Sequence, residues 1–64
     1  MKASYDPKSD ALYLRLSAAE IVESEEIKPG IVFDFDCEGH IVAIEILDAK
    51  THLPGDALRE AAAE

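Results

Sequence analysis

The stretch Ile31 to Leu47, IVFDFDCEGHIVAIEIL, restricts the fold more than any other part of the chain, because two runs rich in β-branched and aromatic residues flank Asp36-Cys37-Glu38-Gly39. A D-x-x-G segment suits a type I turn whose last position takes positive φ, which glycine adopts at no steric cost. The spacing predicts a β-hairpin whose loop is Cys37, Glu38 and Gly39, with a bulge at Gly39 and with Asp36 opposite His40. The ladder then continues as Phe35 with Ile41, Asp34 with Val42, Phe33 with Ala43 and Val32 with Ile44. In that register Ile31, Phe33, Phe35, Ile41, Ala43 and Leu47 share one face, and Val32, Val42, Ile44 and Ile46 share the other with Asp34 and Asp36. Both faces are largely apolar and need cover.

Little else in the chain can supply that cover. Sixty-four residues are read as one domain, 1–64, with the sheet in 2–47 and a helix in 54–64, at the low end of what a single core sustains. One cysteine rules out an internal disulfide, and no C-x-x-C or H-x-x-x-H spacing offers a structural metal site. Self-association is the remaining common route, so the expected state is a homodimer. Its interface candidates are Ile31, Val32, Phe33, Phe35, Val42, Ile44 and Ile46.

Fourteen acidic against six basic side chains give a net charge of -8, which repels nucleic-acid phosphates and anionic membranes. Neither is an expected partner. The charge suits a basic protein partner, or solubility alone. No apolar run reaches the length of a membrane span or a signal-peptide core, so the expected location is the cytoplasm.

In chain order, Lys2 to Tyr5 alternates weakly and reads as an edge strand. Asp6-Pro7-Lys8-Ser9-Asp10 turns the chain, since Pro7 presets φ and the Asp6 side chain can cap the turn. Ala11 to Leu16 is a strand with Leu12, Leu14 and Leu16 facing the core and Tyr13 and Arg15 facing away. Ile21 to Ile27 carries Glu23, Glu25 and Glu26 in its middle, the pattern of an exposed edge strand protected by charge. Lys28-Pro29-Gly30 is a turn signal before the hairpin. After Leu47 the segment Asp48 to His52 is polar and reads as a connection. Pro54-Gly55 breaks the chain, and Asp56 caps a short helix from Ala57 to Ala63 that either docks Leu53 and Leu58 on the sheet or frays. The implied class is α+β: an antiparallel meander of four to five strands with a short C-terminal helix.

The pattern Tyr5-Asp6-x-x-x-Asp10-x-Leu12-Tyr13-Leu14-x-Leu16, followed by Pro29-Gly30-Ile31-Val32-x-Asp34-Phe35-Asp36-x-x-Gly39-x-Ile41-Val42-x-Ile44-Glu45-Ile46-Leu47-Asp48-Ala49, resembles the small bacterial family catalogued as domain of unknown function 2283. Ala43 stands where members often have glycine, and the tail is alanine-rich; neither touches the motif. The resemblance implies a compact β-rich domain without an assigned activity. It also implies a second small protein encoded nearby, and so an antitoxin-like role in a two-protein system.

Candidate chemistry is sparse. Asp34, Asp36 and His40 share a face in the expected register and are ligand types a divalent metal accepts, although Asp36 and Gly39 are also what the turn requires. Glu45, between Ile44 and Ile46, pairs with Arg15 or Lys28, or stands as a buried acid. Cys37 lies between Asp36 and Glu38, whose charges disfavour a thiolate. His52 has no partner in sequence, and Ser4, Ser9, Ser17 and Ser24 lack any nucleophile motif. Tyr5 and Tyr13 fit an aromatic contact surface or half-buried strand positions equally well. The sequence therefore favours a small acidic protein-binding module with no cofactor and no catalytic residue. The alternative is a small metal-dependent hydrolase using Asp34, Asp36, His40 and Glu45.

Overall fold

The computed structural model describes residues 1–63, in the order β1 (Lys2–Asp6), β2 (Ala11–Arg15), β3 (Glu23–Lys28), β4 (Ile31–Phe35), β5 (Ile41–Leu47), α1 (Ala49–His52) and α2 (Gly55–Ala63). The strands form one antiparallel sheet with two short C-terminal helices, an α+β fold. Their spatial order, β1-β2-β5-β4-β3, differs from the order in the chain at one place: β2 docks on β5, and residues 16–22 carry the chain across to the far edge. Side-chain chemistry accounts for this. Leu12 and Leu14 find apolar partners opposite them in Ile46 and Ile44, while β3 with its three glutamates is exposed along its whole length and belongs at an edge.

Two aspartates shape the β1–β2 hairpin. Asp6 accepts the Lys8 amide at 3.0 Å and the Ser9 hydroxyl at 3.0 Å, closing the turn from within. Asp10 adopts φ 54°, a left-handed conformation that Asp tolerates better than most residues. From there its side chain accepts the Tyr5 hydroxyl at 2.7 Å and the Lys50 amide at 3.1 Å, and its carbonyl accepts the Ala49 amide at 2.9 Å. Asp10 thus ties the start of α1 to the first hairpin. The segment expected to be a plain polar connection is this helical turn, with Ala49 fully buried.

The turn at Asp36 forms as the sequence predicts. Asp36 donates its amide to the His40 carbonyl at 3.0 Å, Gly39 donates to the Asp36 carbonyl at 3.1 Å, and Gly39 has φ 84°. Phe35 lies opposite Ile41 as expected, but the register beyond is corrected: Asp34 faces Ala43, Phe33 faces Ile44 and Val32 faces Glu45. Val42 is the extra residue of a β-bulge. Its carbonyl accepts both the Leu16 amide at 2.8 Å and the Ser17 amide at 3.2 Å, where the chain leaves β2. One inserted residue exchanges the faces of everything after it.

The sheet consequently has one apolar and one polar face, in place of two apolar ones. Ile31, Phe33, Phe35, Ile41, Ile44 and Ile46 share a face with Leu12, Leu14, Ala3 and Tyr5. Val32, Asp34, Ala43 and Glu45 share the other with Tyr13, Arg15, Ser24 and Glu26. Ile44 and Ile46, expected with Val32 and Asp34, are on the phenylalanine face; Ala43 and Leu47 have moved the opposite way. Helix α2 packs against β1, and the alternation along β1, with Ala3 and Tyr5 partly covered and Lys2, Ser4 and Asp6 exposed, puts it on the apolar face. Leu58 and Ala61 are its buried contacts. It begins at Gly55, one turn position ahead of the expected Asp56 cap, leaving Asp56 in the first turn where an acid suits the helix dipole. The end expected at Glu64 lies outside the described residues.

Among the described residues the buried apolar set is small: Val42, Ala43, Ala49, Leu58 and Ala61. Leu12 and Leu14, expected in the core, are only half-buried, and Leu16 is 38% exposed. Helix α2 reaches β1, and the middle of the apolar face keeps solvent contact. No helix among the described residues is long and apolar enough to cross a membrane.

Candidate functional site

The polar face holds the chain's least ordinary chemistry. Asp34, at the centre of β4, is 1% exposed. Its Oδ1 accepts the Ser24 hydroxyl at 2.6 Å from the neighbouring β3, whereas its Oδ2, equally buried, receives no N–H or hydroxyl donor. The group beside it is the carboxyl of Glu45, diagonal to it across the β4–β5 ladder. A carboxyl donates a hydrogen bond only when protonated. That hydrogen bond to Asp34, then burial, then the charge of Asp34 raise the Glu45 pKa above its ordinary 4.5.

Arg15 is not the partner of Glu45, contrary to the sequence expectation, and neither is Lys28, which lies opposite Ile31 on the other face. The Arg15 guanidinium is spent on the connection after β2: Nε donates to the Ser17 carbonyl at 2.6 Å, Nη2 to the Ala19 carbonyl at 2.6 Å and Nη1 to the Tyr13 hydroxyl at 2.9 Å. This clamp holds residues 17–19 over the polar face. Tyr13 stands directly opposite Glu45 in the β2–β5 register. Ser24 and this Arg15 strap were not singled out in the sequence. Ser24 stands beside Asp34 only through the β3–β4 register, and no local signal gives that.

A second cluster forms at the hairpin tip. Asp36, Glu38 and His40 bring one ligand atom each within 4.8 Å of one another, and His40 Nδ1 lies 3.6 Å from a carboxylate oxygen of both acids. The expected trio of Asp34, Asp36 and His40 is not the one that assembles: Glu38 takes the place of Asp34. The local chemistry explains Asp36 without a metal. Its Oδ1 accepts the His40 amide at 2.9 Å and the Glu38 amide at 2.9 Å, and these backbone bonds, the His40 one foremost, lower its pKa below 3.8. Glu38 and His40 are both exposed. The four residues of the hydrolase alternative thus fall into two groups, Asp34 with Glu45 and Asp36 with His40, and no cavity indents the described residues to hold a substrate between them.

The remaining candidates have plain placements. Cys37 is exposed at the hairpin tip. His52 lies against Gly30, where an added Cβ would come within 3.0 Å of its Nε2. Tyr5 is half-buried on β1, and its hydrogen bond to Asp10 raises its pKa above 10.0. Of the interface candidates, Ile31, Phe33, Phe35, Ile44 and Ile46 line the apolar face, Val32 lies on the polar face and Val42 is buried at the bulge. Phe33 and Phe35 meet edge to face, with ring centroids 6.5 Å apart.

The edge beyond them is acidic. Strand β3 pairs with β4 alone, placing Glu23 opposite Phe35 and Glu25 opposite Phe33, while Glu26 lies with Ser24 on the other face. Its outer row of backbone groups has no strand beside it. Residues 2–50 match the family described as "Protein of unknown function (DUF2283)". No curated protein and no solved structure matches the chain.

Proposed function

The chain belongs to the DUF2283 family, and from that premise we propose that it is an acidic protein-binding module whose β3 edge takes a basic segment of a partner protein. The observation that carries this reading is β3 itself, an edge strand exposed at every residue and bearing Glu23, Glu25 and Glu26. An open edge offers a ladder of backbone donors and acceptors to an added strand, and its side chains set which strand is accepted. Another copy of β3 brings glutamates against glutamates and is repelled. A segment rich in lysine and arginine meets opposite charge on both faces of the sheet, and the net charge of -8 speeds its approach.

An antitoxin-like role in a two-protein bacterial system is the specific form of this reading, with the partner a basic protein encoded nearby. The hydrolase alternative has no comparable support, since its residues are split between two places. The test is co-expression with the product of the adjacent gene. The expected result is a complex that dissociates as salt rises and is lost when Glu23→Lys and Glu25→Lys are combined. No complex, or one indifferent to salt and to that charge reversal, overturns the proposal.

A further inference from the structure

We propose that Asp34 and Glu45 form a binding site for a hard divalent cation, of the magnesium and manganese class, on the polar face of the sheet. The site is separate from the β3 edge, and the inference does not rest on the function proposed above.

The buried oxygen is what calls for a ligand. Asp34 is 1% exposed, and its Oδ2 receives no donor. Taking a carboxylate oxygen out of water without a partner is costly, and buried charges are as a rule paired or bound to a metal. The strand order sets its direction. Ser24 donates to Oδ1 from β3 on one side, which leaves Oδ2 for β5 on the other. There Ala43, directly opposite Asp34, presents only a methyl group, and the next residue along that face is Glu45. The Glu45 carboxyl lies within hydrogen-bonding reach of Asp34, and its half-buried position gives the pair a route to solvent.

The face supplies no cation of its own to this pair. Among the described residues neither acid forms an ion pair with a lysine or arginine. Arg15 is committed to two carbonyls and to Tyr13, Lys28 lies on the opposite face, and Glu26 adds a further negative charge to the polar one. Two adjacent carboxylates repel each other when both are charged, and a divalent cation between them answers both charges at once. The donors are all oxygens, which suits a hard cation and poorly serves zinc or copper, whose preferred ligands are nitrogen and sulfur. Magnesium in particular binds through one or two carboxylates and keeps several of its waters, which the solvent side of Glu45 admits. The bound ion joins β4 to β5 at the centre of the sheet.

The test titrates the protein at neutral pH with magnesium and with manganese, by calorimetry and by thermal unfolding. Both ions should bind at millimolar concentration or below, and the melting temperature should rise with ion concentration. Manganese should broaden the amide resonances of Ser24, Asp34 and Ala43 before those of Glu38 and His40 at the hairpin tip, where the other ligand cluster lies. Glu45→Gln keeps a donor towards Asp34 and removes one of the two charges; it should weaken binding at least about tenfold, the low end of what losing even a partner behind a metal ligand costs. Combining Glu38→Gln with His40→Ala should leave binding in place. No binding of either ion at millimolar concentration overturns the proposal. So does binding that survives Glu45→Gln, binding lost with Glu38→Gln and His40→Ala, or broadening centred on the tip.

Discussion

Glu45 stands diagonally across the β4–β5 ladder from Asp34 on the polar face of the sheet, and this neighbour raises the Glu45 pKa. The bulge at Val42 turns Glu45 to that face, the β3–β4 register sets Ser24 opposite Asp34, and the β2–β5 register sets Tyr13 opposite Glu45. Asp34 and Glu45 are thereby brought close on neighbouring strands.

The first prediction is a pH dependence of stability with a definite sign. Folding raises the Glu45 pKa above 4.5, so in that window the folded chain binds more protons than the unfolded one. Stability from this group is complete below 4.5 and is lost as pH rises through the raised value. Glu45→Gln supplies an amide donor to Asp34 at every pH. The variant should be more stable than the native chain at neutral pH by about 1 kcal/mol and should lose this part of the pH dependence. Urea denaturation of both proteins across the acid-to-neutral range reads the difference, and parallel curves would contradict the raised Glu45 pKa.

Asp36 provides the opposite slope at lower pH. Its pKa is lowered by backbone hydrogen bonds, so its contribution is present above 3.8 and fades as pH falls through the lowered value. Asp36→Ala should abolish the loss of stability seen in that acid window and leave the Glu45-dependent slope above it untouched.

Asp10, half-buried at the β1–β2 turn, is predicted to matter more to stability than an ordinary turn residue. Asp10→Ala removes the acceptor for Tyr5 and Lys50 and places a residue less suited to φ 54°, at a combined cost of about 2 to 3 kcal/mol in thermal or denaturant unfolding. Asp10→Asn keeps an acceptor and the backbone preference and should lose less than half of that. Ultraviolet titration of the Asn variant should return the Tyr5 phenol towards 10.0, since the hydrogen bond and the charge of Asp10 are what raise it.

Gly30 and Gly39 offer a controlled comparison. They have nearly the same backbone angle, φ 86° and φ 84°. A Cβ on Gly39 meets open space, whereas one on Gly30 lies 3.1 Å from the Leu47 carbonyl and 3.0 Å from His52 Nε2. Each alanine variant bears the left-handed cost of about 1 kcal/mol. Gly30→Ala should lose at least about 1 kcal/mol more, because Leu47 also donates its amide to the Gly30 carbonyl at 2.7 Å and cannot move away alone. Equal melting temperatures for the two variants would contradict the close packing at Gly30.

What the amino-acid sequence determined by itself was local. The Asp36-to-Gly39 turn depends on one side chain capping amides two and four residues on and on one glycine at positive φ, and both are visible within five letters. The alternation of Leu12 and Leu14, the acidic edge at Glu23 to Glu26 and the turn at Asp6 are legible for the same reason. The bulge was not legible. Nothing in Ile41-Val42-Ala43 requires an extra residue; the bulge coincides with a contact to the end of β2, where Leu16 and Ser17 both donate to the Val42 carbonyl. That contact joins segments more than twenty residues apart, and it decides whether Ile44 and Ile46 join the phenylalanines and whether Glu45 meets Asp34. Side-chain period two makes a strand's faces readable only until a bulge, and where a bulge falls is set by the strand on the other side.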